Sequence, residues 1–284
     1  MSACPHIIRN KWKETEKFME NLKAVIKGAI IGGTMLVPGV SGGSMAMILG
    51  IYNRLITAVS SFFKNIKNNL IFLLLFVAGA GVGMLLFAKP LLSLIENYTK
   101  PMMYFFIGAV AGGIPMIYRL ARVKTFSIKQ VIYVIVGIAI VLLFAFLPED
   151  TFTGGNASEK TNLIIQVIAG IVAAVALVLP GISVSYMLLI MGLYDKTMKA
   201  ISELDIVFLL PMAIGLFLGI VLITRLLENA MERHPQPTYL IILGFIIGSI
   251  VQVFPGLPQS YEWIICGVLA IAGYYLIRLI SAEE

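Results

Sequence analysis

Long apolar runs recur along the chain, separated by short polar segments. Residues 70–88 (LIFLLLFVAGAGVGMLLFA) and 131–147 (VIYVIVGIAIVLLFAFL) contain no charged side chain. A helix needs roughly 20 apolar residues to cross about 30 Å of hydrocarbon, so runs of this kind predict membrane-spanning helices. The predicted spans lie near residues 70–88, 102–118, 131–147, 206–224, 238–254 and 262–277. The pattern therefore predicts an all-α, polytopic integral membrane protein.

Two further apolar segments are interrupted by proline, glycine and serine, and their sequences match. Residues 37–53 read VPGVSGGSMAMILGIYN, and residues 179–195 read LPGISVSYMLLIMGLYD. At a spacing of 142 positions, the matched pairs are Pro38 and Pro180, Gly39 and Gly181, Ser41 and Ser183, Gly50 and Gly192, and Tyr52 and Tyr194. The two tyrosines are either interfacial anchors or part of the interrupted tips.

The likeness continues downstream at a spacing of 136 positions. The pairs there are Gly79 and Gly215, Gly83 and Gly219, Lys89 and Arg225, Glu96 and Glu232, Gly108 and Gly244, and Gly112 and Gly248. The chain is thus predicted to form one membrane domain from two related halves, 1–147 and 148–284. Glycine- and proline-interrupted segments at matched places in two halves indicate the binding site of a transporter.

The distribution of basic residues favours a particular topology. If each interrupted segment is a re-entrant hairpin (about 25–60 and 163–202), three spans per half invert the second repeat. With both termini cytoplasmic, 16 of the 21 Lys and Arg residues then face the cytoplasm. If each segment crosses once, the split is only 12 to 9. Cytoplasmic loops are enriched in Lys and Arg, so the hairpins are preferred.

Two hairpins entering from opposite faces predict broken tips that meet near the membrane midplane. Irregular backbone at that depth is tolerated only where it is buried in protein or lines a wet cavity. At the first tip, Gly39, Gly42 and Gly43 allow tight turning beside Pro38. Ser41 and Ser44 add hydroxyl groups, and a helix resuming near Ser44 directs free N–H groups at the tip, which suits an anion. A cation held by loop carbonyls and tight turning alone are the alternatives.

The second tip has a similar pattern of proline, glycine and serine, but some of its residues are bulkier. Pro180, Gly181, Ser183 and Ser185 are predicted to take part in binding, and the larger Val184 and Tyr186 replace Gly42 and Ser44. We therefore expect unequal tips, the second being the less open.

Four charged residues at the ends of spans are further candidates. Lys89 and Arg225 are predicted to contact substrate at opposite mouths, or else to extend to the lipid headgroups as most such residues do. Glu96 and Glu232 are candidates for pairing with them or for carrying a coupling proton, or they are solvated interfacial acids.

Composition narrows the function further. Hydrophobic residues make up 59% of the chain and charged residues 13%, against about 25% charged in soluble domains. Two cysteines and two histidines (Cys4, Cys266, His6 and His234) form no metal or catalytic pattern, so no metal, cofactor or enzymatic activity is predicted. The net charge of +6 suits cytoplasmic loops against anionic lipid and does not imply nucleic acid.

Residues 1–23 predict a short amphipathic helix at the lipid surface or a frayed tail.

The first motif, GGTMLVPGVSGGSMAMILGIYNRLI, resembles the signature of the bacterial polyprenyl-phosphate transporter family, PopT. The segment LVLPGISVSYMLLIMGLYD resembles that family's weaker internal copy, and the likeness covers essentially the whole chain. The resemblance implies a plasma-membrane flippase, and not an enzyme. It would return undecaprenyl phosphate from the outer to the inner leaflet for reuse in cell-wall and peptidoglycan synthesis.

With that substrate, the tip residues would bind the phosphate headgroup while the tail stays in lipid. A coupling proton or sodium ion is a further expected partner, and the sequence leaves the choice and the oligomeric state open. The rival interpretation is a small-ion transporter or channel built on the same broken hairpins.

Overall fold

A computed structural model describes residues 5–35, 37, 40–123, 125, 127–148, 163–259 and 262–282. All regular structure in these residues is helical. The α-helices are α1 (Pro5–Thr34), α2 (Gly42–Ile48), α3 (Tyr52–Ser60), α4 (Ile66–Asn97), α5 (Thr99–Leu120), α6 (Ile128–Ala145), α7 (Leu163–Val178), α8 (Val184–Ile190), α9 (Tyr194–Glu203), α10 (Ile206–Arg233), α11 (Pro235–Val253) and α12 (Glu262–Ala282).

Six of these helices, α4, α5, α6, α10, α11 and α12, are long and apolar enough to cross a membrane. They coincide with the six predicted spans, so the all-helical, polytopic class is confirmed. The structure extends α4 and α10 to 32 and 28 residues, beyond the apolar runs that predicted them. Their extra turns carry the charged residues Lys89, Glu96, Arg225 and Glu232.

The N-terminal segment differs from the prediction. Residues from Pro5 onward belong to the same 30-residue helix that leads into the first interrupted segment. The described residues are thus helical, as the amphipathic-helix prediction expected, but in a longer helix and not as a frayed tail. The physical reason is local, because residues 6–27 contain neither proline nor glycine and include five Lys and three Glu, which favour helix. The position of this helix at the lipid surface stays a prediction.

The short helices of the two interrupted segments end in the same way. Gly50 follows α2 at φ 72°, and Gly192 follows α8 at φ 63°, which is backbone that residues with a Cβ rarely adopt. The N–H of Ile51 donates to Ala46 O, and the N–H of Leu193 donates to Leu188 O, both at about 3 Å. This is the Schellman arrangement of a helix end. It turns the chain directly into α3 in one case and α9 in the other.

Close helix crossings use the glycines that match between the halves. A Cβ at Gly79 would overlap the carbonyl oxygen of Val25 in α1, and a Cβ at Gly215 would overlap that of Val167 in α7. The crossing of α1 with α4 is thus repeated by that of α7 with α10. Small residues that let backbones approach are what holds helices together in lipid, where lipid tails are as apolar as the side chains.

The remaining spans pair across the halves. A Cβ at Gly108 in α5 would overlap Ala270 O in α12, and a Cβ at Gly244 in α11 would overlap Val134 O in α6. Helix α5 also packs on α11, which places these two helices at the centre of the molecule. In their most apolar stretches 44% and 56% of residues are buried, against 11–17% in the other four spans. The outer helices consequently present apolar side chains to their surroundings.

Candidate functional site

The two interrupted segments touch each other. A Cβ placed on Gly43 would lie 3.3 Å from both the Cα and the N of Pro180 and 3.3 Å from Val178 O. One residue pair adds a polar contact, because the Tyr52 hydroxyl donates to Val178 O at 2.7 Å in a buried position. Residues 126 to 137 positions apart in the chain are thereby brought side by side.

A cavity of about 530 Å³ lies between the segments. Ser41 and Gly42 line it from the first segment, and Ser183 and Ser185 line it from the second. The remaining lining residues are apolar or tyrosine: Met35, Val37, Val40, Ala176, Leu177, Ile182, Val184, Tyr186, Leu189 and Tyr194. No charged side chain of the described residues lines the cavity, so its polarity comes from hydroxyl and backbone groups.

Serines begin both short helices at this cavity. Ser41 precedes α2 with an extended backbone, and its side chain accepts no capping hydrogen bond from the described residues. Ser183 precedes α8 in the same conformation, and its Oγ accepts the N–H of Tyr186 at 3.4 Å, at the limit of a hydrogen bond. The hydroxyls of both residues are therefore open to a further partner. They can donate to an oxygen of an anion, as can the free N–H groups beside them.

The two tips differ in access. Ser44 is 2% exposed, and its hydroxyl has no hydrogen-bond partner within the described part of the chain. Ser185 is exposed and lines the cavity. Tyr186, expected to make the second tip less open, points its hydroxyl away to the carbonyls of Ala145 and Leu147 at 3.0 and 2.9 Å. Access is unequal, and the second tip is the more open one.

The helices that follow the two tips, α3 and α9, also differ in exposure. Ile56 of α3 is 4% exposed and packs in one cluster with Leu227 and Met231 of α10. Its repeat counterpart in α9 is Met198, which is 48% exposed. Helix α3 is therefore packed against α10, whereas α9 leaves Met198 exposed; we call these the closed and the open side.

The other predicted site residues lie elsewhere. Pro38 and Gly39 lie outside the described residues. Gly43, Pro180 and Gly181 are buried where the segments meet and do not line the cavity.

The four charged candidates are exposed on α4 and α10, away from the cavity lining: Lys89, Glu96, Arg225 and Glu232. Among the described residues none of these four forms an ion pair; the predicted pairing of Lys89 with Glu96 and of Arg225 with Glu232 is therefore not seen.

The roles of Tyr52 and Tyr194 became evident only in the structure. Both belong to the tips, Tyr52 as a buried donor between the halves and Tyr194 as part of the cavity lining. Their match in the repeat was the signal in the sequence, although it did not distinguish tip residues from interfacial anchors. Ala176 and Ile182 also line the cavity, but nothing in the sequence except their apolar character marked them as site residues.

Together, six spans and a central uncharged polar cavity between two helix breaks define a multi-pass membrane protein of the transporter class. The described residues hold no group of three or more His, Cys, Asp or Glu side chains placed for a metal ion. The family model described as VCA0040-like, undecaprenyl phosphate translocase-like, matches residues 31–267. The chain belongs to this family, which confirms the resemblance read from the motifs.

Two relatives extend this comparison. A polyprenyl-phosphate transporter of Staphylococcus aureus (strain NCTC 8325 / PS 47) is 34% identical over 261 residues, covering 88% of this chain and 92% of its own. A polyprenyl-phosphate transporter of Vibrio cholerae serotype O1 is 25% identical over 263 residues, covering 87% and 82%. Both are named transporters, so the expectation of a transporter and not an enzyme is confirmed. No solved structure matches the chain significantly.

Proposed function

We propose that this protein is an undecaprenyl-phosphate translocase of the bacterial plasma membrane, returning the lipid from the outer to the inner leaflet for reuse in cell-wall synthesis. The observation that carries the proposal is the cavity shared by both matched segments, with Ser41 on one side and Ser183 and Ser185 on the other. The names of the two relatives supply the substrate class.

The proposal includes two inverted repeats, 1–147 and 148–284, each with one re-entrant hairpin and three spans. The broken return arms are compatible with hairpins, since α2 and α8, of seven residues each, extend about 10 Å, far less than the roughly 30 Å of hydrocarbon. The glycine crossings support the repeat, because exchanging the halves converts the contact of Gly108 with Ala270 into that of Gly244 with Val134. Charge counting supports cytoplasmic termini.

The phosphate headgroup binds between the tips. A charged group at the bilayer centre is costly, and hydroxyl and N–H donors offset that cost without bringing a fixed charge into the membrane. Ser41, Ser183 and Ser185 supply hydroxyls, with Ser44 behind them. Pro38, Gly39, Gly42, Gly43, Pro180 and Gly181 shape the backbone so that the two segments approach closely. Lys89 and Arg225 attract the anion at the two mouths.

Transport proceeds by alternating access. With cytoplasmic termini, the closed α3 side faces the cytoplasm and the open α9 side faces outward, where the lipid is collected. In the opposite state α9 is closed and α3 is open, because contacts like those that now pack α3 against α10 form at the matched positions of the other half. The pairing of α5 with α12 and of α6 with α11 disfavours motion of one sequence half against the other. The moving units are instead the pairs α1–α4 and α7–α10, which surround the interlocked helices α5, α6, α11 and α12. A proton carried by Glu96 or Glu232, or sodium at the tips, drives the motion.

The test measures movement of a fluorescent polyprenyl monophosphate across proteoliposome membranes, with the neutral polyprenol and inorganic phosphate as comparison solutes. We expect protein-dependent movement of the lipid phosphate alone. Ser41→Leu and Ser185→Leu should reduce it at least tenfold. Ser202→Leu, on the exposed face of α9, should not change it.

Two results would contradict the proposal. If inorganic phosphate or another small ion crosses and the lipid does not, the protein is a small-ion transporter or channel. If the two tip variants, folded as judged by thermal unfolding, move the lipid at the rate of the unmodified protein, the headgroup is not bound between the tips.

A further inference from the structure

A second cavity, of about 420 Å³, lies beside the first, between α6, α7 and α8. Every residue that lines it is apolar, among them Phe144, Ile168, Val172 and Met187. The two cavities thus differ in chemistry, because the first includes three serines in its lining and the second has only carbon and thioether groups in its side chains.

The two cavities are adjacent and share two lining residues. Ala176 and Ile182 line both of them, with the serines on one side and the apolar wall on the other. Both residues are buried, at 1% and 5% exposure. They form the boundary at which a ligand would pass from a polar to an apolar environment.

The apolar cavity also reaches the lipid-facing surface. Ile165 and Ile168 of α7 line its outer part and are 40% and 47% exposed. Ile190 lines its inner part and is 1% exposed. We call this the α7 groove: a lateral path from the surface of α7 inward to Ala176 and Ile182.

The matching region of the first half has a different composition. Under the repeat, Thr34 stands where Ala176 is, Gly33 where Val175 is, and Lys23 where Ile165 is. Those residues would make an equivalent groove more polar at its outer end and at its boundary with the tips. At these positions α7 is therefore more apolar than the matching stretch of α1.

We propose that the α7 groove binds the first isoprene units of the polyprenyl phosphate whose headgroup lies between the tips. This inference rests on the proposed function and deepens it. A prenyl chain attached to the phosphate must leave the polar cavity by some route, and Ala176 and Ile182 mark the side that is already apolar. Methionine side chains such as Met187 and Met191 adapt to an irregular, methyl-branched chain. With the proposed orientation, the groove opens in the outer leaflet, where the lipid begins its path.

The first part of the test locates the tail by photocrosslinking. The probe is a polyprenyl monophosphate with a diazirine in the isoprene unit next to the phosphate, applied to the full-length protein in liposomes. We expect crosslinks in α6, α7 and α8, mapped by mass spectrometry of peptides. Crosslinks spread over the other lipid-facing helices, or abolished by excess phospholipid, would overturn the assignment in favour of a general acyl-chain surface.

The second part blocks the groove. Ile168→Trp and Val172→Trp place a bulky ring in it, whereas Ile164→Trp, on the same helix and 64% exposed, lies outside its lining. We expect the first two to lower transport and crosslinking of the long-chain lipid at least fivefold, and Ile164→Trp to leave both unchanged. A five-carbon prenyl monophosphate, which needs little of the groove, should compete for the tips equally in all three. Because Ile168 is half-exposed, its variant tests the groove even if Val172→Trp fails to fold.

The outcomes separate this inference from the proposed function. If the unmodified protein moves no lipid phosphate, the proposed function fails and the groove assignment fails with it. If the unmodified protein moves the lipid and both groove variants do so at the same rate, the tail takes another route and the proposed function stands.

Discussion

Tyr52 and Tyr194 occupy matched positions in one repeated motif and have opposite surroundings. Tyr52 is 3% exposed and donates to Val178 O across the two halves. Tyr194 borders the cavity and is partly exposed, and no hydrogen bond of its hydroxyl is seen among the described residues. The same residue type thus serves as a seal in one half and as cavity wall in the other.

This difference makes a matched pair of variants informative. Tyr52→Phe removes a buried donor and leaves the Val178 carbonyl unpaired, so we expect a loss of about 1 kcal/mol in the free energy of unfolding. Tyr194→Phe removes no such bond and should leave stability unchanged. Thermal unfolding in detergent measures both. An equal loss in the two variants would contradict the assignment of Tyr52 as the seal.

Ser44 offers a second prediction at the residue scale. Its buried hydroxyl has no described partner, and an unpaired buried polar group costs about 1–3 kcal/mol. We expect Ser44→Ala to be at least as stable as the unmodified protein and to bind the lipid phosphate more weakly.

The control for this prediction is Ser249→Ala. Ser249 is also buried, but its hydroxyl donates to Ile246 O at 2.8 Å, so its loss should not stabilise. Thermal unfolding without ligand and lipid-phosphate binding give the two readouts. A stabilised Ser44→Ala that binds as well as the unmodified protein would exclude Ser44 from the headgroup site.

At the scale of helices, the glycines of α4 have distinct roles that the sequence does not separate. Gly79 and Gly83 face α1 at its closest approach, while Gly81, between them, has no neighbouring atom within 4 Å of its Cβ position. The matched glycines Gly215 and Gly219 face α7 in the same way. These contacts hold each interrupted segment to its own first span.

We therefore expect Gly83→Ala and Gly81→Ala to act in opposite directions. A methyl group at Gly83 collides with the backbone of Ala29 and should cost about 1–3 kcal/mol of stability, as overpacking does. A methyl group at Gly81 meets open space, and alanine favours helix over glycine by up to about 1 kcal/mol. Thermal unfolding compares the two. Similar losses in both would mean that α1 and α4 do not cross at this point.

On the scale of the whole molecule, the halves are interlocked. The second span of each half packs on the third span of the other, and the centre of the molecule belongs to both. Because the crossings of α5 with α12 and of α6 with α11 link the halves backbone against backbone, these four helices are expected to move little relative to one another during transport. The tips and their α1–α4 and α7–α10 supports surround this centre and carry the difference between the open and closed sides.

The proposed inverted topology predicts opposite accessibility for two exposed residues that precede the first spans, Asn65 before α4 and Glu203 before α10. In a background with Cys4 and Cys266 replaced, Glu203→Cys should react with a membrane-impermeant maleimide in intact cells. Asn65→Cys should react only after permeabilisation. If each interrupted segment crossed the membrane once, both would react from outside, and the hairpins would be excluded.

The sequence by itself determined the six spans, the two breaks and the matching of glycine positions between the two halves. These features are local, since they follow from the length of apolar runs and from the need to satisfy backbone hydrogen bonds in lipid. The motif around Gly50 and Gly192 was likewise sufficient to fix how each short helix ends. Family membership followed from the same motifs.

Only the tertiary structure decided which tip is open, which tyrosine seals the molecule and where an apolar groove meets the serines. Nearly identical motifs differ in burial here because each depends on partners far away in the chain, such as Val178 for Tyr52 and Leu227 for Ile56. A symmetric sequence pattern cannot specify an asymmetric state, since both halves carry the same local preferences. Which half is open and which is closed depends on contacts that exist only once the halves are packed together.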